Sequence, residues 1–214
     1  MLSDSPPERD LEWSEAGVEG AWRYLNRLYR LASEPAAPLP PAGAGKPNEL
    51  SAKADAALRA IHKAVAAVSE NLEALRFNVA VAQVRTLSNA LEELDGKGSG
   101  EAWVLREGTE TLARLVAPMI PHLAEEMWAA LGHQSLLCDQ PWPKADPALL
   151  VDDQVTVAVQ VNGKLRATVA LARDAAEDVA RAAALAAPNV VAAMAGKPAR
   201  KVIVVPNRII NVVV

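Results

Sequence analysis

The chain has 214 residues, of which 51% are hydrophobic and 22% charged, enough to bury one large core or two small ones. This composition excludes an intrinsically disordered polymer. No apolar run approaches the roughly 18 residues that cross a bilayer, which argues against a membrane partner. The net charge of −4 is uneven. Residues 151–214 hold eight Lys/Arg and five Asp/Glu, a balance of +3, which leaves −7 for residues 1–150. A basic end favours a polyanionic partner there; a solvated basic face is the alternative.

A single cysteine, Cys138, excludes an internal disulfide. The acidic opening of the chain also lacks the basic and apolar regions of a signal peptide. Both observations favour the cytoplasm. No activating residue is close to Cys138 in sequence, so an unreactive thiol is expected.

The first predicted helix begins at Ser14, whose hydroxyl can cap the free amides while Trp13 packs on Val18. Its apolar residues recur at helical spacing on one face. Another face carries three arginines: Arg23, Arg27 and Arg30. They are interpreted either as a solvated face paired with Glu19 or as contacts to phosphate.

Four further helices are predicted after a proline-rich loop at 33–48. Apolar stripes at 50–72 and 80–94 have no Pro or Gly between them, so one long helix is also compatible with the sequence, with Asn78 as a cap if there are two. Helices at 101–117 and 121–131 follow. Several antiparallel helices with one apolar face each predict a bundle.

The pattern changes after residues 133–150, a proline-bearing stretch interpreted as a linker. Alternating strands flank Asn162–Gly163, the strongest short hairpin signal. Two short helices and a second strand pair complete a ββααββ order, so the predicted fold class is α+β. A two-residue turn places Val161 opposite Lys164 and Val159 opposite Arg166, which would put valines and basic residues on one face. Either helices cover part of that face or the register differs.

Six basic residues of the terminal module occupy turns or strand ends: Lys164, Arg166, Lys197, Arg200, Lys201 and Arg208. Such positions can converge at one edge of a small sheet. There they could hold RNA phosphates without reading bases, although ordinary solvated surface explains them equally well.

Sites for catalysis or metal binding are not predicted. His122 precedes Glu125 and Glu126, but no second histidine or cysteine is near enough in sequence to complete a ligand set. The glycines at 96–100 lack the Lys-Ser/Thr of a phosphate loop and are interpreted as the end of a helix.

Four runs in order resemble leucyl-tRNA synthetases where the chain leaves the catalytic domain and enters the tRNA-binding part. They are Leu-Ser-Asp-Ser-Pro-Pro-Glu at 2–8 with the following helix, residues 62–78, Pro-His-Leu-Ala-Glu-Glu-Met-Trp at 121–128, and Val-Gln-Val-Asn-Gly-Lys-Leu-Arg at 159–166. The ATP signatures of that family, His-Ile-Gly-His and Lys-Met-Ser-Lys-Ser, do not occur. The chain therefore resembles the carboxy-terminal part of the ligase without its reaction centre.

The end of the chain distinguishes the leucine enzyme from its relatives. The run at 121–128 is shared with the isoleucine and valine enzymes. One cysteine excludes the zinc modules common in the former, and 151–214 has no heptads of the coiled coil common in the latter. The hairpin at 161–164 with a final strand pair resembles the bacterial leucine enzyme.

The resemblance implies a junction remnant at 1–12, a helical tRNA-binding domain at 13–132, a linker at 133–150 and a small tRNA-binding domain at 151–214. It implies leucine tRNA, contacted at its body and elbow, and the missing catalytic domain as partners. ATP and Mg²⁺ would belong to the full-length enzyme and not to this chain, which alone would be inactive. The alternative is a free-standing helical protein-interaction module with a small α/β appendage.

Overall fold

The computed structural model describes residues 2–3, 6, 8–10, 13–151 and 154–214. The chain divides into two compact units, a helical unit, Met1–Leu150, and a terminal unit, Val151–Val214. The predicted α+β class, with a helical region followed by a small strand-containing domain, is confirmed. In the described part of the chain, no helix combines the length and apolar character needed to cross a membrane.

The helical unit contains five helices around one apolar core. They are α1 (Glu15–Ser33), α2 (Ala52–Glu73), α3 (Phe77–Glu92), α4 (Glu101–Val116) and α5 (Pro121–Ala130). Each helix places at least one large side chain fully inside: Leu28, Ile61, Leu87, Leu112 and Met127. Burial of such residues contributes roughly 1.5–3 kcal/mol each, so all five helices depend on the same core.

The first helix begins where the sequence predicts, but only part of its apolar face is covered. The Ser14 hydroxyl accepts the Gly17 N–H at 3.1 Å and caps α1. Trp13 remains 77% exposed and Val18 46%, so the expected packing of this pair buries little surface. Toward its C-terminus α1 enters the core through Leu28 and Ala32.

A Schellman motif separates α2 from α3. Leu75 has a left-handed backbone, with φ of 56°, and its N–H donates to the Leu72 carbonyl at 3.0 Å. The Arg76 N–H donates to the Asn71 carbonyl at 2.8 Å. These are the two hydrogen bonds that define the motif. Asn78 is therefore inside α3 and does not cap it, so there are two helices and not one.

Residues 133–150 belong to the helical unit and lie against its helices. The Trp142 indole N–H donates to the Ser69 hydroxyl at 2.8 Å, and the Asp146 N–H donates to His62 Nδ1 at 3.0 Å. Desolvation lowers the pKa of His62, which keeps this ring nitrogen available as an acceptor. The role of the stretch as a linker stays a prediction.

The carboxylate of Glu125 on α5 holds the start of this stretch. It accepts the N–H of Leu137 at 2.7 Å and of Cys138 at 2.9 Å. The hydrogen bond from Leu137, supported by the one from Cys138, lowers the pKa of Glu125. The pair Glu125 and Glu126, considered above as metal ligands, thus includes one residue that binds backbone amides.

The terminal unit is a four-stranded sheet with two helices. Its elements are β1 (Gln154–Val161), β2 (Lys164–Ala172), α6 (Glu177–Ala186), α7 (Pro188–Met194), β3 (Lys201–Val205) and β4 (Ile209–Val213). The strand order is β2-β1-β4-β3. The β1–β2 and β3–β4 pairs are antiparallel, and β1 pairs with β4 in parallel. The predicted ββααββ order is present.

A β-bulge resolves the conflict in the first hairpin. Val161 pairs with Lys164 as expected, and Gln160 pairs with Leu165. Val159 then pairs with Ala167 and not with Arg166, so the register differs from that of a regular two-residue hairpin, which is the second of the two alternatives left by the sequence. Arg166 is the extra residue of the bulge, and β2 changes faces beyond it. Apolar residues of β2 can therefore join the β1 valines in a core completed by α6 and α7: Ala167, Val169 and Leu171.

Replacing Leu75 with Gly should stabilise the helical unit. A left-handed non-glycine residue costs roughly 1–2 kcal/mol, and Leu75 is 59% exposed, so little burial is lost. Part of the gain is cancelled by the greater freedom of glycine in the unfolded chain. We expect Leu75→Gly to raise the free energy of unfolding in urea by about 1 kcal/mol. Leu75→Ala keeps the strain and is the control; equal stability of both variants would contradict the assignment.

Glu125→Gln should destabilise the protein at neutral pH and much less in acid. Because the folded state lowers the pKa of Glu125, its contribution is complete above the pKa in the unfolded chain. It is lost as the pH falls from the pKa in the unfolded chain through the lower folded pKa. Unfolding free energies measured from pH 7 downward should therefore converge for wild type and Glu125→Gln. The matched control is Glu126→Gln, a change at the exposed neighbour. A difference in unfolding free energy between wild type and Glu125→Gln that stays the same at every pH would contradict the role of the Glu125 carboxylate in binding the backbone amides.

Candidate nucleic-acid interface

Four of the six basic residues predicted in the terminal unit lie at one end of its sheet. Lys164 starts β2 and Lys201 starts β3. Because β1 and β4 are parallel and each pairs with an antiparallel neighbour, the starts of β2 and β3 meet the ends of β1 and β4. Arg166 is in the bulge beside Lys164, and the Arg200 N–H donates to the Val213 carbonyl at 2.8 Å. We call this edge the turn end.

The turn end is an exposed basic strip. Its four basic side chains are all exposed. From Lys164 to Lys201 there are three strand spacings, or about 14 Å. Lys197 is also exposed and follows α7, three residues before Arg200, so its Cα is within about 11 Å of the strip. Five of the six predicted residues thus share one neighbourhood.

Arg208 lies at the opposite end of the sheet. Its carbonyl accepts the Ala158 N–H at 3.3 Å, just before β4 begins. The five residues of β4 separate it from the turn end by roughly 17 Å. The structure therefore does not bring Arg208 to the other basic residues.

The acidic side chains described in the terminal unit are near Arg208 and not at the turn end. Asp174 exchanges two hydrogen bonds with Asn207, at 2.9 and 2.7 Å. Glu177 and Asp178 occupy the first turn of α6, just after Asp174, where they favour the helix N-terminus. Glu177 also accepts from Arg181 at 2.9 Å. Among the described residues of the terminal unit, no Asp or Glu side chain lies at the turn end to neutralise it, so the turn end carries a local positive field.

The three arginines of α1 have different surroundings. Arg23 is 3.8 Å from Glu19, as the solvated interpretation expects. Arg27 donates from Nε and Nη2 to the Glu92 carboxylate and from Nη2 to Asn89 at 2.7 Å, which joins α1 to α3. The hydrogen bond with Glu92 raises the pKa of Arg27. Arg30 is exposed in the last turn. The structure thus gives Arg27 a packing role that its sequence neighbours do not reveal.

A polar cluster in the helical unit connects two of its helices. The Glu110 carboxylate accepts from Arg106 at 2.7 Å and contacts His133 Nε2 at 2.9 Å. Arg106 also donates to the Leu131 carbonyl at 2.9 Å, and the Trp128 ring stacks on His133 with centroids 3.5 Å apart. The cluster fastens α4 to the end of α5. The i, i+4 spacing of Arg106 and Glu110 is the only sequence signal for it.

Neither a metal-binding cluster nor an activated cysteine is found in the part of the chain that the structure describes. There, no group of three His, Cys, Asp or Glu residues is arranged to hold a metal ion. Cys138 is exposed. Local desolvation, and then the charges of Asp139 and Glu125, raise the pKa of its thiol, which opposes formation of the reactive thiolate.

Comparison with known proteins identifies the family of the chain. A family model, the anticodon-binding domain of tRNA ligase, matches residues 55–181, more than half of the chain and a range that reaches from α2 into α6. The chain belongs to this family. Its resemblance to leucyl-tRNA synthetases is confirmed, and it corresponds to the carboxy-terminal, anticodon-binding part of a leucine–tRNA ligase.

The similar proteins are much longer than this chain. Leucine–tRNA ligases of Paramagnetospirillum magneticum and Rhodospirillum rubrum are 62% and 58% identical over 214 residues, which is all of this chain but 24% and 25% of theirs. A crystal structure of LeuRS from Agrobacterium radiobacter K84, in a ternary complex with tRNA and LeuAMS, matches 99% of this chain and 27% of its own, with TM-score 0.74 and 30% identity. The chain therefore spans about a quarter of the length of these relatives.

Proposed function

We propose that this chain binds leucine tRNA as part of a leucine–tRNA ligase. The helical unit would lie along the tRNA body, and the terminal unit would contact the elbow with its turn end. The observation that carries the proposal is the convergence of exposed cations at one sheet end away from the described carboxylates. It occurs in a chain that resembles leucine–tRNA ligases throughout, one of which is solved with tRNA.

The chemistry of the turn end supports contact with phosphates. Lysine and arginine side chains on a strip about 14 Å wide can neutralise neighbouring phosphates and release their counterions. Such contacts position an RNA but carry no sequence information. The turn end would therefore hold leucine tRNA by its shape, as the resemblance implies. Arg30 is the remaining α1 arginine for which we propose a phosphate contact, because Arg23 and Arg27 are engaged with carboxylates.

The remaining assignments belong to the same proposal. Residues 1–12 would join the catalytic domain, 13–132 would form the helical tRNA-binding domain, 133–150 would link it to the terminal domain at 151–214, and the protein would act in the cytoplasm. ATP and Mg²⁺ would be handled by the rest of the longer protein, since neither ATP signature occurs in this sequence.

The turn end is tested by tRNA binding over a salt series. Two double variants, Lys164→Ala/Arg166→Ala and Arg200→Ala/Lys201→Ala, should each weaken binding and flatten the dependence of log affinity on log salt by roughly one to two units, because two phosphate contacts are lost. All tRNAs should weaken alike. Arg208→Ala, a cation of the same unit at the opposite end, is the matched control.

Affinity and salt slope are interpreted only for variants that circular dichroism shows to be folded. Unchanged affinity and salt slope in both double variants would make the turn end ordinary solvated surface and would favour the protein-interaction alternative. If Arg208→Ala lowered tRNA affinity and flattened the salt slope as much as the double variants, binding would not depend on where in the sheet a cation lies.

Catalysis is tested on the same pure chain. Because both ATP signatures are absent from the sequence, we expect no leucine-dependent ATP–pyrophosphate exchange above background. Exchange by the pure protein would refute the assignment of the reaction centre to the rest of a longer enzyme.

A further inference from the structure

Residues 142–150 run along α2 and are held there by two hydrogen bonds. The Trp142 indole N–H donates to the Ser69 hydroxyl at 2.8 Å, and the Asp146 N–H donates to His62 Nδ1 at 3.0 Å. His62 and Ser69 are separated by about two helical turns, so they lie on one face of α2. The order of the contacts is reversed along the two stretches, so this segment runs antiparallel to the helix. We call residues 142–150 the docked segment.

Asp146 begins the turn that completes the docked segment. Its Oδ1 accepts the Ala148 N–H at 2.9 Å and caps a 3-10 turn at Pro147–Leu149. Leu149 packs against the core of the helical unit. His62 therefore holds the residue from which this turn starts, close to the point where the helical unit ends.

We propose that His62 is a pH-sensitive positioning residue, whose neutral ring holds the docked segment on α2 and whose protonation releases it. A protonated imidazole carries N–H groups on both ring nitrogens, so Nδ1 can no longer accept the Asp146 N–H. Two donors would then face each other at the 3.0 Å of the present hydrogen bond. An amide that loses its acceptor must move to water or stay unsatisfied, and the cost of the second outcome favours release.

The surroundings of His62 keep the ring neutral while the segment is docked. Burial is the largest effect and lowers the pKa of His62. The Asp146 carboxylate raises this pKa, and the ammonium group of Lys46 in the proline-rich loop lowers it. In the released segment the ring regains the ordinary histidine pKa of about 6.5. Docking is therefore fully stabilised above about pH 6.5 and weakens as the pH falls from there through the lower pKa of the docked state.

Release of the docked segment would lengthen the chain that leads to the terminal unit. With the segment docked, at most about 14 Å of extended chain joins Leu150 to the start of β1. With the segment released, the next contact upstream is the Glu125 carboxylate, which accepts the Cys138 N–H at 2.9 Å. About 55 Å of extended chain then lies between Cys138 and β1. His62 thus limits how far the terminal unit can move.

The consequence for tRNA rests on the proposed function. When the helical unit is bound to a tRNA, a short connection raises the effective concentration of the turn end at the same molecule. Effective concentration falls with roughly the −3/2 power of the length of a connection that can span the two sites. A connection about four times longer therefore weakens tRNA binding roughly eightfold, although every phosphate contact can still form.

The switch is tested by amide hydrogen exchange of the full chain, measured by NMR at about pH 7.5 and about pH 5.5, on either side of the ordinary histidine pKa. The protection factor of the Asp146 amide compares its exchange with that of an unfolded peptide at the same pH. In wild type it should fall on the order of tenfold at the lower pH, because one hydrogen bond is lost.

Two substitutions at His62 separate the acceptor from its titration. His62→Asn carries an oxygen acceptor on the same carbon, Cγ, and does not titrate, so the Asp146 amide should keep its protection at both pH values. His62→Phe has no acceptor and should lose protection at both. His122→Asn is the matched control, because His122 is exposed on α5, and it should behave like wild type.

Two results would overturn the switch: wild-type protection that stays the same at the lower pH, or a loss in His62→Asn that parallels the loss in wild type. Circular dichroism at both pH values must show that each variant is folded. If His62→Phe does not fold, wild type and His62→Asn still decide.

Binding of a leucine tRNA transcript at neutral pH tests the positioning role. His62→Phe should bind roughly eightfold more weakly, with an unchanged salt slope because no phosphate contact is lost, and His62→Asn should bind like wild type. Unchanged affinity of folded His62→Phe, with turn-end variants that flatten the slope, would overturn the positioning role and leave the proposed function intact. If wild type does not bind tRNA, the proposed function fails and the positioning role fails with it.

Discussion

The parallel pairing of β1 with β4 is the contact on which the terminal unit depends. It joins two antiparallel hairpins that are separated in sequence by α6 and α7. Val159 lies beside Ile210 and Val161 beside Val212, and all four are buried, so hydrophobic burial holds the pairing in register. The same register brings Lys164 and Lys201 to one end. The basic turn end is therefore a consequence of one packed strand pair.

The helical unit is organised differently. Every helix contributes to one core, and polar contacts then hold neighbouring helices together. Tyr24 shares a hydrogen bond with Ser88 at 3.2 Å, and Arg27 binds Glu92. These contacts join the second half of α1 to α3. Much of the apolar face in the first half of α1 stays uncovered. Trp22, 66% exposed in that half, shows that an apolar stripe alone does not determine what covers it.

Sequence patterns predicted most elements but missed the points where backbone geometry departs from the usual residue preferences. The sequence left open whether the chain breaks between α2 and α3, because glycine, and not leucine, normally takes the left-handed position of a Schellman motif. The bulge at Arg166 escaped because a two-residue turn is compatible with a regular register beyond it. The conflict between valines and basic residues was nevertheless visible in the sequence, and an extra residue was one physical solution to it.

The sequence by itself determined the α+β class, the strand and helix order, the family resemblance and which residues could contact phosphate. These depend on periodicity, turn residues and local motifs, which are short-range properties. Only the tertiary structure decided that Arg208 stands apart from the other cations and that Arg27 is bound to Glu92. Those outcomes depend on which distant strands and helices pair. Pairing is set by burial summed over the whole core and not by any one segment.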